Sequence, residues 1–173
     1  MRTRAPMRAA LLVALGWMVA GGLAMAQPPA SAGAFFDATL MAPDGARWAI
    51  ERLRGQPLVV NFWARWCAPC RDEIPELVEI QARYRSDGLV VVGVGVEHEA
   101  PKVQEFARAY QMDYLVLLGG DQGIDLMRAL GNHRAGLPYT VAIDRRGQVV
   151  GQKLGPARRE ELEAFATRAL AGR

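Results

Sequence analysis

Hydrophobic residues along this chain fall into unbroken runs and runs of helical spacing. Positions 58–63 (Leu-Val-Val-Asn-Phe-Trp) and the valine-rich positions 89–96 after Gly88 are nearly continuous, as strands covered on both faces are. Between them, positions 72–84 place Ile74, Leu77 and Val78 on one helical face. Positions 101–110 repeat Val103, Phe106, Ala107 and Tyr110 at i, i+3, i+4 and i+7, an amphipathic helix. Upstream, 36–41 and 46–50 flank the turn Pro43-Asp44-Gly45 and predict a β-hairpin. Downstream come a short strand at 114–118 and a short helix at 124–130 ended by Gly131. A closing hairpin at 139–143 and 148–153 follows, then a last helix from about Pro156 that buries Leu162, Phe165, Ala166 and Leu170. Strands alternating with helices and ending in a hairpin predict an α/β domain, a mixed central sheet flanked by helices.

One apolar stretch does not belong to that domain. Residues 9–26 follow Arg2, Arg4 and Arg8 and end in Ala24-Met25-Ala26, a small-x-small site before Gln27. The pattern is that of a secretory signal peptide, residues 1–26. An uncleaved N-terminal anchor is the alternative, because these 18 residues reach the short limit for a bilayer span. Gly16, Gly21, Gly22 and the clean cleavage site favour removal. The expected organisation is therefore a signal segment at 1–26, a flexible segment at 27–34 and one domain at 35–173. Under either reading the domain faces the periplasm or another exported, oxidising space. The formal charge of +3 disappears with the three arginines of the first 26 residues, leaving 18 basic and 18 acidic side chains. Nothing in that balance points to nucleic acid.

The chemistry lies in the two cysteines, Cys67 and Cys70, in Trp66-Cys67-Ala68-Pro69-Cys70 between a strand and a helix. A close dithiol at a strand-to-helix junction is the layout of a thiol–disulfide exchange site. Cys67 falls at the start of the helix, where unpaired N–H groups and the macrodipole favour a thiolate, so it is the expected nucleophile. Cys70 lies one turn further in and is placed to resolve a mixed disulfide. Pro69 fits the first helical turn, where a missing N–H costs nothing. A purely structural disulfide closing so short a loop would constrain the unfolded chain little. Zinc needs about four ligands, and only His98 and His133 remain to supply them. Copper is less easily dismissed, since thiolates and one distant histidine can hold it.

A second motif follows at Gly136-Leu137-Pro138, where Pro138 opens the apolar run 139–143. Proline is tolerated there as a first strand residue or in cis. Taken with the run Asn61-Phe62-Trp63-Ala64-Arg65-Trp66-Cys67-Ala68-Pro69-Cys70, it makes the chain, over roughly residues 33–171, resemble a thioredoxin-fold protein. More narrowly it resembles the exported TlpA/ResA-like thiol–disulfide reductases. The resemblance implies a thioredoxin-like fold with an N-terminal β-hairpin and a strand-helix insertion before a cis-proline. It also implies that Pro138 is cis and that Leu137 offers a free backbone edge to a bound client.

Two positions narrow the resemblance. Thioredoxin has a buried aspartate where this chain has Asn61, which cannot titrate. The exported reductases carry a glutamate three residues after the second cysteine, and Glu73 stands there, as an i+3 neighbour of Cys70 able to exchange its proton. Pro75, inside the same helix, matches the family and is expected to act on helix shape. Trp63 is expected to pack beneath the site. Trp66, with Ala68, Pro69 and Leu137, is expected to meet the client.

The implied activity is reduction of disulfides in client proteins, with no cofactor beyond the dithiol. In an oxidising space a membrane electron donor of the thiol-reductase conduit type must recharge it. Clients in cytochrome c maturation or copper-site thiols are what the family suggests. Tyr139, in place of a glutamate after Pro138, argues modestly against the dedicated cytochrome branch. A monomer is expected. Two alternatives remain open: a dithiol oxidase or isomerase on the same fold, and a copper-binding metallochaperone. A peroxidase lacks support, because Ala64 stands where that pattern needs threonine. His98 is expected to be solvated; His133, a few residues before Pro138, is at most a neighbour of the dithiol. Arg158 and Glu161 are expected to pair as i, i+3 neighbours on the last helix.

Overall fold

A computed structural model describes residues 31–172. The expected signal segment lies outside the described residues. Seven strands form one mixed sheet in the order β2-β1-β5-β4-β3-β6-β7. They are β1 (Thr39–Met41), β2 (Arg47–Ala49), β3 (Leu58–Trp63), β4 (Val90–Gly95), β5 (Leu115–Leu118), β6 (Tyr139–Ile143) and β7 (Val149–Leu154). The helices are α1 (Gly33–Phe36), α2 (Ala68–Tyr84), α3 (Ala100–Ala109), α4 (Gly120–Ala129) and α5 (Arg159–Ala171). Strands β3, β4 and β5 run parallel, while β6 lies antiparallel against β3 and β7 against β6. The unit β5–α4 is the insertion expected before Pro138.

All six residues of β3 are buried, and alternation sends them to two cores. Val59 and Trp63 join Ile74, Leu77 and Ile80 of α2, Val103 of α3 and Leu162, Phe165 and Ala166 of α5. Leu58, Val60 and Phe62 join Phe35 and Phe36 of α1 and Leu126 and Met127 of α4. Asn61 therefore points to the same face as α2.

Three elements depart from the sequence expectation. The first hairpin strand begins at Thr39, because Gly33–Phe36 form a helical turn whose two phenylalanines plug the α4 side of the sheet. The run 36–41 holds too few residues for periodicity to separate strand from helical turn. Residues 31–34, expected in the flexible segment, are tied down: Ser31 bridges to Gln148, and the Ala32 N–H bonds to the Gly147 carbonyl at 2.9 Å. Helix α4 starts at Gly120, four residues before its apolar face. Its glycines permit close packing on β4, since a Cβ at Gly119 would stand 2.8 Å from both Val94 and the Gly123 backbone.

Helix α5 is anchored on α2 by Arg159, which forms ion pairs with Glu76 at 3.0 Å and with Glu79, and by the Arg83–Glu163 pair. The expected Arg158–Glu161 charge pair gives way to a different contact. Glu161 accepts the Arg158 backbone N–H at 3.0 Å and the Lys153 ammonium at 2.6 Å, so its carboxylate caps the helix instead. Phe165 fills the gap over Gly151, where a Cβ would approach its ring to 2.8 Å. Replacing Phe165 with alanine should cost about 3–5 kcal/mol in urea unfolding. Replacing Arg83 with alanine should cost less than about 1 kcal/mol, because its ion pair is largely exposed. Equal costs would refute this division between core and surface.

Candidate active site

The site is built at the end of β3. The β3–β6 register sets Asn61 opposite Thr140 and Phe62 opposite Tyr139. Pro138, one residue before Tyr139, therefore falls beside the end of β3, where the chain turns through Ala64, Arg65 and Trp66 into Cys67. The Leu137–Pro138 peptide is cis. The Pro138 carbonyl accepts the Gly155 N–H at 2.9 Å, which brings the β7–α5 connection to the same end of the sheet.

Cys67 is the N-cap of α2 and Pro69 lies in its first turn. The Cys67 N–H bonds to the Ala64 carbonyl at 3.1 Å, and the Cys67 carbonyl accepts the N–H groups of Cys70 and Arg71. Cys67 and Cys70 are joined in a disulfide, so this is the oxidised protein. Cys67 is 6% exposed and Cys70 1%. Around them Trp66 is 71% exposed, and Ala68 and Pro69 are open to solvent. Leu137 is half-buried against both cores. Among the described residues its backbone makes no hydrogen bond.

Beneath the dithiol lies a buried polar chain. Glu73, one turn after Cys70, is 2% exposed. Its Oε1 accepts the Thr140 hydroxyl at 2.9 Å, and the Thr140 oxygen accepts the Asn61 amide N–H, also at 2.9 Å. Burial pushes the Glu73 carboxyl up to about 7, against the opposing pull of the Thr140 hydrogen bond. The acid thus titrates near neutral pH, where a group exchanging protons with a thiol is most useful. Trp63 lies fully buried beneath the turn and stacks on Phe106 of α3, ring centroids 5.0 Å apart.

Thr140 escaped the sequence reading. Its only trace there is a polar residue in the apolar run 139–143; its partners come from the register of two strands far apart in sequence. Glu97, which grips Arg65 in the turn before Cys67, escaped as well. His133 sits in a cleft of about 340 Å³ with Asn132, Arg134, Tyr139, Gln152 and Leu154. His98 is exposed, 3.7 Å from Asp121. Among the described residues no three His, Cys, Asp or Glu side chains gather as a metal site, and no helix is long and apolar enough to cross a membrane.

The chain is similar to known proteins in sequence and in fold. The family model described as Redoxin matches residues 28–168. The thiol-disulfide oxidoreductase ResA of Bacillus cereus is 28% identical over 123 residues, 70% of this chain and 68% of that protein. The thiol:disulfide interchange protein HelX of Rhodobacter capsulatus is 35% identical over 155 residues, 84% of each chain. A crystal structure of a thioredoxin family thiol:disulfide interchange protein from Chlorobium tepidum matches with a TM-score of 0.70 at 28% identity. That match covers 83% of this chain and 96% of the other.

Titration of Glu73 carries a stability signature. Its native carboxyl holds a proton up to about pH 7, whereas the ordinary value is 4.5. The stabilisation is therefore full below about pH 4.5 and is lost as pH rises through 7, by about 3 kcal/mol at most. Urea unfolding of the oxidised protein across this window should show the decline, and Glu73→Gln should remove it. Identical pH slopes for the two proteins would contradict the assignment.

Proposed function

Because the chain belongs to the Redoxin family and is a thioredoxin-fold thiol–disulfide oxidoreductase of the ResA type, we propose that it reduces disulfides of client proteins in an exported space, most simply the periplasm. The observation that carries this reading is the buried Glu73 carboxyl behind Cys70, tuned towards neutrality. Such an acid lets the resolving thiol lose its proton inside the protein as the dithiol gives its electrons to a client, and returns that proton when the dithiol is recharged.

In the reduced protein the Cys67 thiolate, favoured by the α2 N-terminus, attacks a client disulfide. A Cys67–client S–S bond forms and the client's second sulfur leaves as a thiolate. Glu73 accepts the Cys70 proton, and the Cys70 thiolate attacks the Cys67 sulfur. The Cys67–Cys70 disulfide closes and the client's remaining sulfur departs. Two electrons pass from the dithiol to the client, whose two thiolates take up the protons that the dithiol released, one by way of Glu73. A membrane dithiol donor would reverse the sequence and recharge the site.

Client binding is assigned to Leu137, whose unpaired backbone beside Pro138 can accept a short extended segment, and to the exposed Trp66 with Ala68 and Pro69. Cytochrome c maturation factors and copper-site thiols fit the client chemistry.

A trapping experiment tests the reading. Cys70→Ser protein, expressed with its own N-terminus, should accumulate a mixed disulfide between Cys67 and client proteins on non-reducing gels. Cys67→Ser should trap none. Absence of any adduct on Cys67, or equal trapping by both variants, would defeat the proposal.

A further inference from the structure

The turn that delivers Trp66 and Cys67 is gripped from outside α2. Glu97, just past β4 and 7% exposed, accepts the Arg65 backbone N–H at 2.7 Å with one oxygen and the Arg65 guanidinium at 3.0 Å with the other. The same guanidinium lies 3.6 Å from Glu99, which holds Lys102 of α3 at 2.6 Å. From the sheet side, the Val96 N–H bonds to the Trp63 carbonyl at 2.9 Å. The three residues from Trp63 to Arg65 are thus tied at both ends and through one side chain. Neither Arg65 nor Glu97 belongs to the exchange chemistry described above.

A charge-assisted contact of this kind does two things. It fixes geometry, because one carboxylate satisfies a main-chain donor and a guanidinium together. It also cancels charge: Arg65, Glu97, Glu99 and Lys102 sum to zero, and removal of Arg65 or Glu97 leaves a net charge of the other's sign near Cys67. A lone cation two residues from a thiol favours the thiolate, and a lone anion beside the same turn disfavours it.

We propose that Glu97 and Arg65 form a positioning pair for the attacking thiol, holding the turn that bears Trp66 and Cys67 and keeping its local field neutral. The inference rests on the reading of Cys67 as nucleophile. Other charged groups on the surrounding elements are Arg71, Asp72 and Glu73 of α2, Glu99 before α3, His133 and Arg134 of the loop before Pro138, and Arg158 before α5. All stay constant in the comparison below.

The test uses reduced Cys70→Ser protein, in which Cys67 is the lone thiol. Thiolate absorbance is followed against pH, together with the rate of alkylation by iodoacetamide. Glu97→Gln keeps an acceptor for the Arg65 N–H but removes the anion. It should lower the Cys67 midpoint by about half a pH unit and raise alkylation below the midpoint about two- to threefold. Arg65→Gln should raise the midpoint by a similar amount, and the double variant should return close to the parent. Arg65→Lys, which keeps the charge and loses the fork, should stay near the parent in midpoint. A purely structural role would move Arg65→Lys together with Arg65→Gln, and that result would overturn the proposal. So would single variants that shift the midpoint in the same direction or not at all. If Glu97→Gln does not fold, the contrast between Arg65→Gln and Arg65→Lys decides alone. A parent midpoint at or above the ordinary value of about 8.5 would overturn the nucleophile reading itself, and this inference with it.

Discussion

Antiparallel pairing of β6 with β3 is the constraint on which the rest of this site depends. It joins two segments 79 residues apart through the Asn61–Thr140 contact and sets Pro138 beside the strand that leads into the dithiol. A shift of one residue would turn Thr140 to the opposite face and leave Asn61 and Glu73 without their shared hydroxyl. Both strands are buried along their whole length, so each slip would also expose or misplace a full set of core side chains. The hydrophobic pattern therefore secures the geometry of the chemistry.

A cost accompanies this design. Glu73 is a carboxyl kept almost wholly out of water, and above neutral pH its charge is met by the Thr140 hydroxyl at Oε1 with no ion-pair partner among the described residues. A structural ion pair would have supplied a cation there; elsewhere Arg159 serves Glu76 and Glu79 in that way. The sheet instead supplies Asn61 and Thr140, neutral groups that orient the acid without pinning its proton. Stability is exchanged for a group that titrates near neutrality, the arrangement expected where proton transfer matters more than rigidity.

Much of this was legible in the chain. Cys67, Pro69 and Cys70 announce themselves by spacing and by their place between strand and helix. Interior strands such as 58–63 are readable because continuous apolar runs leave few alternatives. Glu73 and Pro138 became readable only through family resemblance, since a first-turn acid and a strand-initiating proline are common features on their own. What stayed hidden depends on tertiary register. Thr140 looks like any strand threonine until β6 is laid against β3. Glu97 looks like a loop acid until β4 ends beside Arg65. Local ambiguity explains the misjudged ends: Phe35 and Phe36 suit a strand as well as a helical turn, and the glycines opening α4 read as a loop because their reason is close packing on Val94.

The central claim is that the dithiol is built to give electrons, and its reduction potential tests that most directly. Residues 27–173 would be equilibrated against a defined thiol buffer, and the fraction of Cys67–Cys70 disulfide measured. A potential near or below about −250 mV, in the range of thioredoxin, is predicted. A value near about −120 mV, that of a strong oxidant, would contradict the account and make the protein a disulfide donor.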